Sequence, residues 1–130
     1  MSKLNAYAPY MLAVLRIIIA LLFMEHGLMK LVGFPAPMGH GHLPPLLMAA
    51  GYIETFGGAL IALGLLTRPA AFIASGEMAV AYFKVHIWMS FWPALNHGEP
   101  VIFFCFFFLY LVFSGAGAWS LDAKIWGDKA

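Results

Sequence analysis

The stretch AVLRIIIALLFMEHGLMKLVGF, residues 13–34, decides how the chain is read. Its first half carries Arg16 as its one charge and otherwise has the apolar density of a membrane-crossing helix. Its second half then places Glu25, His26 and Lys30 within a few residues of one another. Ionisable groups inside hydrocarbon are costly, so these side chains are expected to face something other than lipid.

The rest of the chain agrees with that setting. Of its 130 residues 63% are apolar and only 10% charged, and the mean hydropathy is +0.87. A soluble domain carries about 25% charge, and one this small could not bury so much apolar surface in a core. The expected class is therefore all-α and integral to a membrane. A formal net charge of +1 without any basic block excludes nucleic-acid binding as a reading. Cys105 is the only cysteine, so an internal disulfide or a CxxC redox pair is ruled out. It lies in the run FFCFFFLY and reads as a lipid-facing or packing residue. The N-terminal segment lacks a small-residue cleavage site, so the first span is expected to be retained.

A span needs about 20 mainly apolar residues, and four segments qualify, at about 10–32, 44–66, 69–91 and 100–121. The loop GFPAPMGHGHLPP, the turn TRP and the loop WPALNHGEP separate them. Prolines near the starts of the second, third and fourth spans suit a first helical turn. One domain over residues 1–130 is expected, with neither a linker nor an internal repeat. Lys3, Arg68, Lys124 and Lys129 fall on the side of the termini, and Lys30 and Lys84 lie towards the other. The positive-inside rule then places both termini in the cytoplasm of a bacterial-type inner membrane. His40, His42, His97 and Glu99 would lie at the outer surface.

Helical geometry sorts the intramembrane polar residues. At 3.6 residues per turn, Arg16, Phe23, Gly27 and Lys30 share one face of the first span, and His26 borders it. Glu25 points the other way, towards a second interface. On the second span Glu54 precedes Gly57 and Gly58, small residues that permit a close helix crossing. Glu77 and Lys84 share a face of the third span, about 10 Å apart along its axis. Depth allows an outer cluster of Glu54 with Lys30, Lys84 and His26, and an inner ion pair of Arg16 with Glu77. Either grouping can be purely structural, fixing helix register, or part of a site.

These residues, in this order, resemble the DoxX family of small four-helix membrane proteins over nearly the whole chain. The resemblance rests on Arg16, on F-x-x-HG-x-x-K at Phe23, His26, Gly27 and Lys30, and on E-x-x-GG at Glu54, Gly57 and Gly58. It continues through LGLLTRPAA at 63–71, GEP at 98–100 and GAGAWSLD at 115–122. Glu25, His40, His42 and Glu77 lie outside that pattern. The resemblance implies a helical bundle associated with quinone-linked redox chemistry, and some relatives serve as anchors for redox-stress complexes.

Two functions are expected from these residues and that resemblance. In the first, the chain is a quinone-interacting subunit. Lys30, His26 and Lys84 donate hydrogen bonds, Glu54 passes protons, and Phe23, Tyr52 and Trp88 supply an aromatic setting. No residue type here stores electrons, so a redox partner protein is implied. In the second, the chain is a non-catalytic anchor, with its charges serving assembly and Glu25 serving a partner helix or a homo-oligomer. Haem b between His26 and His86 is disfavoured, because such histidines usually lie deeper in a span. The GHGH loop gives His40 and His42 the spacing of a weak zinc or copper candidate, although such loops are more often merely polar. Transport is disfavoured by the absence of an internal repeat.

Overall fold

The computed structural model describes residues 2–127, and its regular structure there is entirely helical. A short α1 (Ser2–Asn5) precedes the long α2 (Ala8–Leu31). After the Pro/Gly loop, α3 (Pro45–Tyr52) runs through a π-helical segment, Ile53–Gly57, into α4 (Gly58–Leu63) without a break. A tight turn leads to α5 (Thr67–Ala81), which continues as a second π-helical segment, Tyr82–His86. The short α6 (Pro93–Asn96), α7 (Glu99–Ser114) and α8 (Leu121–Trp126) complete the chain. Proline occupies one of the first two positions of α2, α3, α6 and α7, where a missing N–H costs no helical hydrogen bond.

Two of these rods, α2 and the continuous Pro45–Leu63, are long and apolar enough to cross a membrane. Only 28% and 22% of their most apolar windows are buried, so most of their hydrophobic surface points outward. α7 ends at Ser114 rather than near 121, because Gly115 and Gly117 take positive φ values of 77° and 75° and turn the chain back on itself.

The rods close into a ring. α2 packs on α3–α4, that rod on α5, and α5 on α7. Phe23 of α2 meets Phe108 of α7 edge-on at 4.7 Å to complete the circuit. The interior is built from small residues and a few large ones: Ala20, Ala71 and Ala74 beside Phe23, Ile61, Phe108 and Leu111. At the α2 seam the backbones nearly touch. A Cβ on Gly27 would stand 2.6 Å from the Thr55 nitrogen, and one on Gly58 would stand 2.9 Å from the Met24 Cβ. Gly57, expected to share that crossing, has open space around its Cβ position. Consecutive helical residues point about 100° apart, so only one of the pair can face α2.

One end of the ring is tied by a polar knot. Arg16 is fully buried and donates to the carbonyls of Ala116, Ala118 and Trp119. Asp122 accepts from the amides of Leu66 and Thr67 at 2.7 and 2.9 Å, capping the start of α5, while its own amide donates to Gly64 at 2.8 Å. Arg68 donates to the carbonyls of Val112 and Phe113 at the end of α7, where a cation complements the helix dipole. The expected Arg16–Glu77 pair is therefore not formed. Arg16 is taken up by the returning chain at 116–119, and Glu77 lies with the charges at the other end.

Candidate functional site

The second polar centre lies about 21 Å along α2 from Arg16, at the rise of 1.5 Å per residue. Lys30, in the last turn of α2, reaches across the seam to Glu54, and its Nζ lies 2.6 Å from Oε2. Both side chains are nearly dry, at 8% and 4% exposure. Gly27 and Gly51 make this possible. A Cβ on Gly51 would lie 3.0 Å from the Lys30 Cβ, so the two backbones approach as closely as glycine allows. Glu54 stands in the first π-helical segment. The wider turn inserts an extra residue, and within it Glu54 is buried while Phe56, two residues on, is exposed.

Glu77 of α5 joins the pair. Its carboxyl is in electrostatic contact with Glu54 and Lys30, and its Oε2 is buried without a hydrogen-bond partner. One ammonium thus faces two carboxyl groups. An unsatisfied buried oxygen is costly in an apolar interior unless a ligand or water meets it.

These groups form one wall of a cavity of about 370 Å³. Phe23 and Phe104 supply an aromatic floor, with ring centroids 5.6 Å apart. His26, His86 and His97 complete its polar rim. The His26 Nδ1–H donates to the Leu22 carbonyl and the His86 Nδ1–H to the Asn96 carbonyl, each at 2.9 Å. Those bonds fix the rings and leave each Nε2 as the nitrogen open to a ligand.

The loop over the cavity is held by Asn96, fully buried. Its side chain donates to Ser90 and Tyr82 and accepts from the Gly98 amide at 2.8 Å. His97 follows at a positive φ of 58°, which turns its ring to the rim instead of leaving it on a purely superficial loop.

The expected site residues divide. Lys30, Glu54, His26 and Phe23 meet at the cavity, and Glu77 is added to them. Lys84 does not join. It is exposed and lines a separate groove between α3 and α5. Tyr52 is exposed and stacks on Phe56, and Trp88, past the second π-helical segment, is 82% exposed. The second π-helical segment contains Lys84 and shifts the phase of Trp88 beyond it, so neither continues the face of Glu77, while Tyr52, two residues before Glu54, points about 160° away from it. His40 and His42 lie exposed on the 32–44 loop, and no group of three metal-ligating side chains occurs among the described residues. Glu25 faces outward beside Met24 and Phe34. Cys105 is half-buried and its carbonyl accepts from Ser75 at 2.8 Å, joining α5 to α7. Sequence reasoning does not bring His86, His97 and Phe104 together as one constellation. The one signal available is that they fall at matching ends of the third and fourth spans.

The sequence model of the DoxX family matches residues 11–87, a range holding Arg16, Lys30, Glu54 and Glu77. A protein of Haemophilus influenzae, described only as uncharacterized, is 48% identical over 130 residues, covering 95% of this chain and 97% of its own. An uncharacterized membrane protein of Mycobacterium tuberculosis is 26% identical over 140 residues, covering 94% of this chain and 85% of its own. No solved structure matches. With the family model spanning more than half of the sequence and a near full-length relative at this identity, the chain belongs to the DoxX family.

Proposed function

We propose that this DoxX protein is a four-helix subunit integral to a bacterial-type inner membrane, with both termini cytoplasmic, and that its cavity is a quinone and proton site serving a redox partner protein. The observation that carries this reading is the dry Lys30–Glu54 pair with Glu77 beside it, opening onto an aromatic-floored cavity. The outward apolar surface of α2 and Pro45–Leu63 supports the membrane placement. The similarity to a mycobacterial membrane protein supports it too. Lys129, counted towards the cytoplasmic charge, lies outside the described residues.

The residues fit such a group. A planar head of one or two rings suits about 370 Å³, within the usual range of ligand pockets. The Phe23 and Phe104 rings offer it a face, and Lys30 offers a charge-assisted donor to a carbonyl oxygen. The unpartnered Glu77 Oε2 can accept from a hydroxyl, as can Nε2 of His26 or His86. When bound, a quinone would supply two-electron redox chemistry. The chain's own work is to bind the head, exclude water from it and hold a proton at the Glu54–Glu77 carboxyls, with His86 and His97 standing towards the loops. Electrons come from the partner, since none of these side chains stores them.

The test is an organic extract of the protein purified in mild detergent, analysed by mass spectrometry for quinone beside the Glu54→Gln variant. Stoichiometric quinone in the wild type that falls to background in the variant is the expected result. Equal background in both removes the quinone site and leaves the anchor, which needs a partner but no ligand.

A further inference from the structure

Outside the cavity an apolar groove of about 260 Å³ runs between α3 and α5. Cavity and groove share the residues Leu47, Ala50, Glu77, Ala81 and Val85, so a single layer of side chains separates them. Glu77 stands in that layer with its unpartnered oxygen. On the α5 side the groove runs along Ile73, Gly76 and Val80, spaced to share one helical face. Ile73 and Val80 are exposed by 55% and 50%. At Gly76 the helix has a notch, because a Cβ there would meet nothing within 4 Å.

The other seams of the ring are filled. Glycine contacts close the seam between α2 and α3–α4. The Phe23, Phe104 and Phe108 cluster packs the seam between α2 and α7. The Ser75–Cys105 bond, with Ala71 and Ala74 in the core, holds α5 on α7.

We infer that the groove between α3 and α5 seats the apolar tail of a quinone whose head lies in the cavity, so that the ligand loads sideways from the bilayer past Glu77. This rests on the quinone reading above. A long isoprenoid tail cannot fold into the cavity beside the head and must leave towards lipid. The groove is the apolar channel whose walls are continuous with those of the cavity, and its notch at Gly76 leaves room for a chain.

Gly76→Phe fills the notch from a helical position that has space for it, and Val80→Trp obstructs the same face one turn on. Neither residue lines the cavity that holds the Lys30–Glu54 pair. Wild type and both variants, matched for helicity and thermal unfolding, are titrated in nanodiscs with two probes. One is a ubiquinone head without a tail, and the other is decylubiquinone. The expected result is unchanged binding of the tail-less head, with decylubiquinone bound about tenfold more weakly by the variants, a change equivalent to about 1.4 kcal/mol. Decylubiquinone binding equal to wild type in both variants overturns the groove and leaves the quinone cavity standing. Failure of both probes to bind the wild type overturns the quinone reading and the inference together, while a wild type that binds the tail-less head but not decylubiquinone overturns the groove alone. Phospholipid retained by the wild type and lost in the variants, with no quinone binding, assigns the groove to an acyl chain and likewise overturns it.

Discussion

At the scale of single residues the site is a problem of charge balance. Lys30 has two carboxyl neighbours, Glu54 in direct contact and Glu77 beside it, so removing the cation and removing one carboxyl are unequal insults. Lys30→Met leaves two carboxyls in a dry wall without a counter-charge. Breaking a buried pair in this way costs about 3–5 kcal/mol. Glu54→Gln leaves Lys30 with Glu77 still at hand, and its cost is expected to be clearly smaller. Unfolding of the two variants in mixed detergent micelles, read by circular dichroism, checks the order. Equal losses would show that Glu77 does not share the lysine. The lysine and Glu54 are legible in the sequence because an ionisable residue in an apolar run is conspicuous. Glu77 is conspicuous too, but its partner is not. Arg16 looks available to it, and only the fold shows the guanidinium already occupied by carbonyls at 116–119.

At the scale of elements, position and length of the helices are readable from apolar runs, prolines and glycine turns, whereas their internal register is not. A π-helical segment exchanges one pattern of backbone hydrogen bonds for another without altering hydropathy, so nothing in IETFG or YFKVH announces it. The consequence is local and specific. Lys84, which a straight helix sets on the face of Glu77, lies within the second segment and emerges on the surface, as does Trp88 beyond it. The glycines show the same limit. Gly57 and Gly58 are equivalent as letters, yet only Gly58 lies against α2. Gly58→Val should therefore force α2 and α4 apart, at the 1–3 kcal/mol or so typical of overpacking, while Gly57→Ala should be tolerated and stabilise the rod slightly through helix propensity. Thermal unfolding of the two variants in one detergent distinguishes them, and a Gly57→Ala loss as large as that of Gly58→Val would contradict the seam described.

At the scale of the whole molecule the polar residues segregate to opposite ends of an apolar ring, and the two ends are built differently. The knot around Arg16 and Asp122 spends its hydrogen-bonding capacity on backbone. It satisfies the amides at the start of α5 and carbonyls of the returning chain, and it holds Leu66 and Trp119 at positive φ values of 50° and 52°, conformations uncommon outside glycine. Arg16 Nε and Thr67 Oγ1 are left without a partner there, whereas at the Lys30 end the unpartnered Glu77 oxygen belongs to a residue lining a cavity that His26 and His86 also line. That contrast makes a separable prediction. Asp122→Ala strips the cap from α5 and leaves two amides without acceptors, at a cost of about 1–3 kcal/mol. Because the two centres are about 21 Å apart along α2, the loss should appear as reduced stability with the quinone content proposed above, per folded molecule, unchanged. Detergent unfolding and extract analysis on one preparation measure both quantities. A variant that unfolds like the wild type would show that the knot is dispensable. One that stays folded but loses its ligand would show that the two ends are coupled, and the division of labour between them would have to be abandoned.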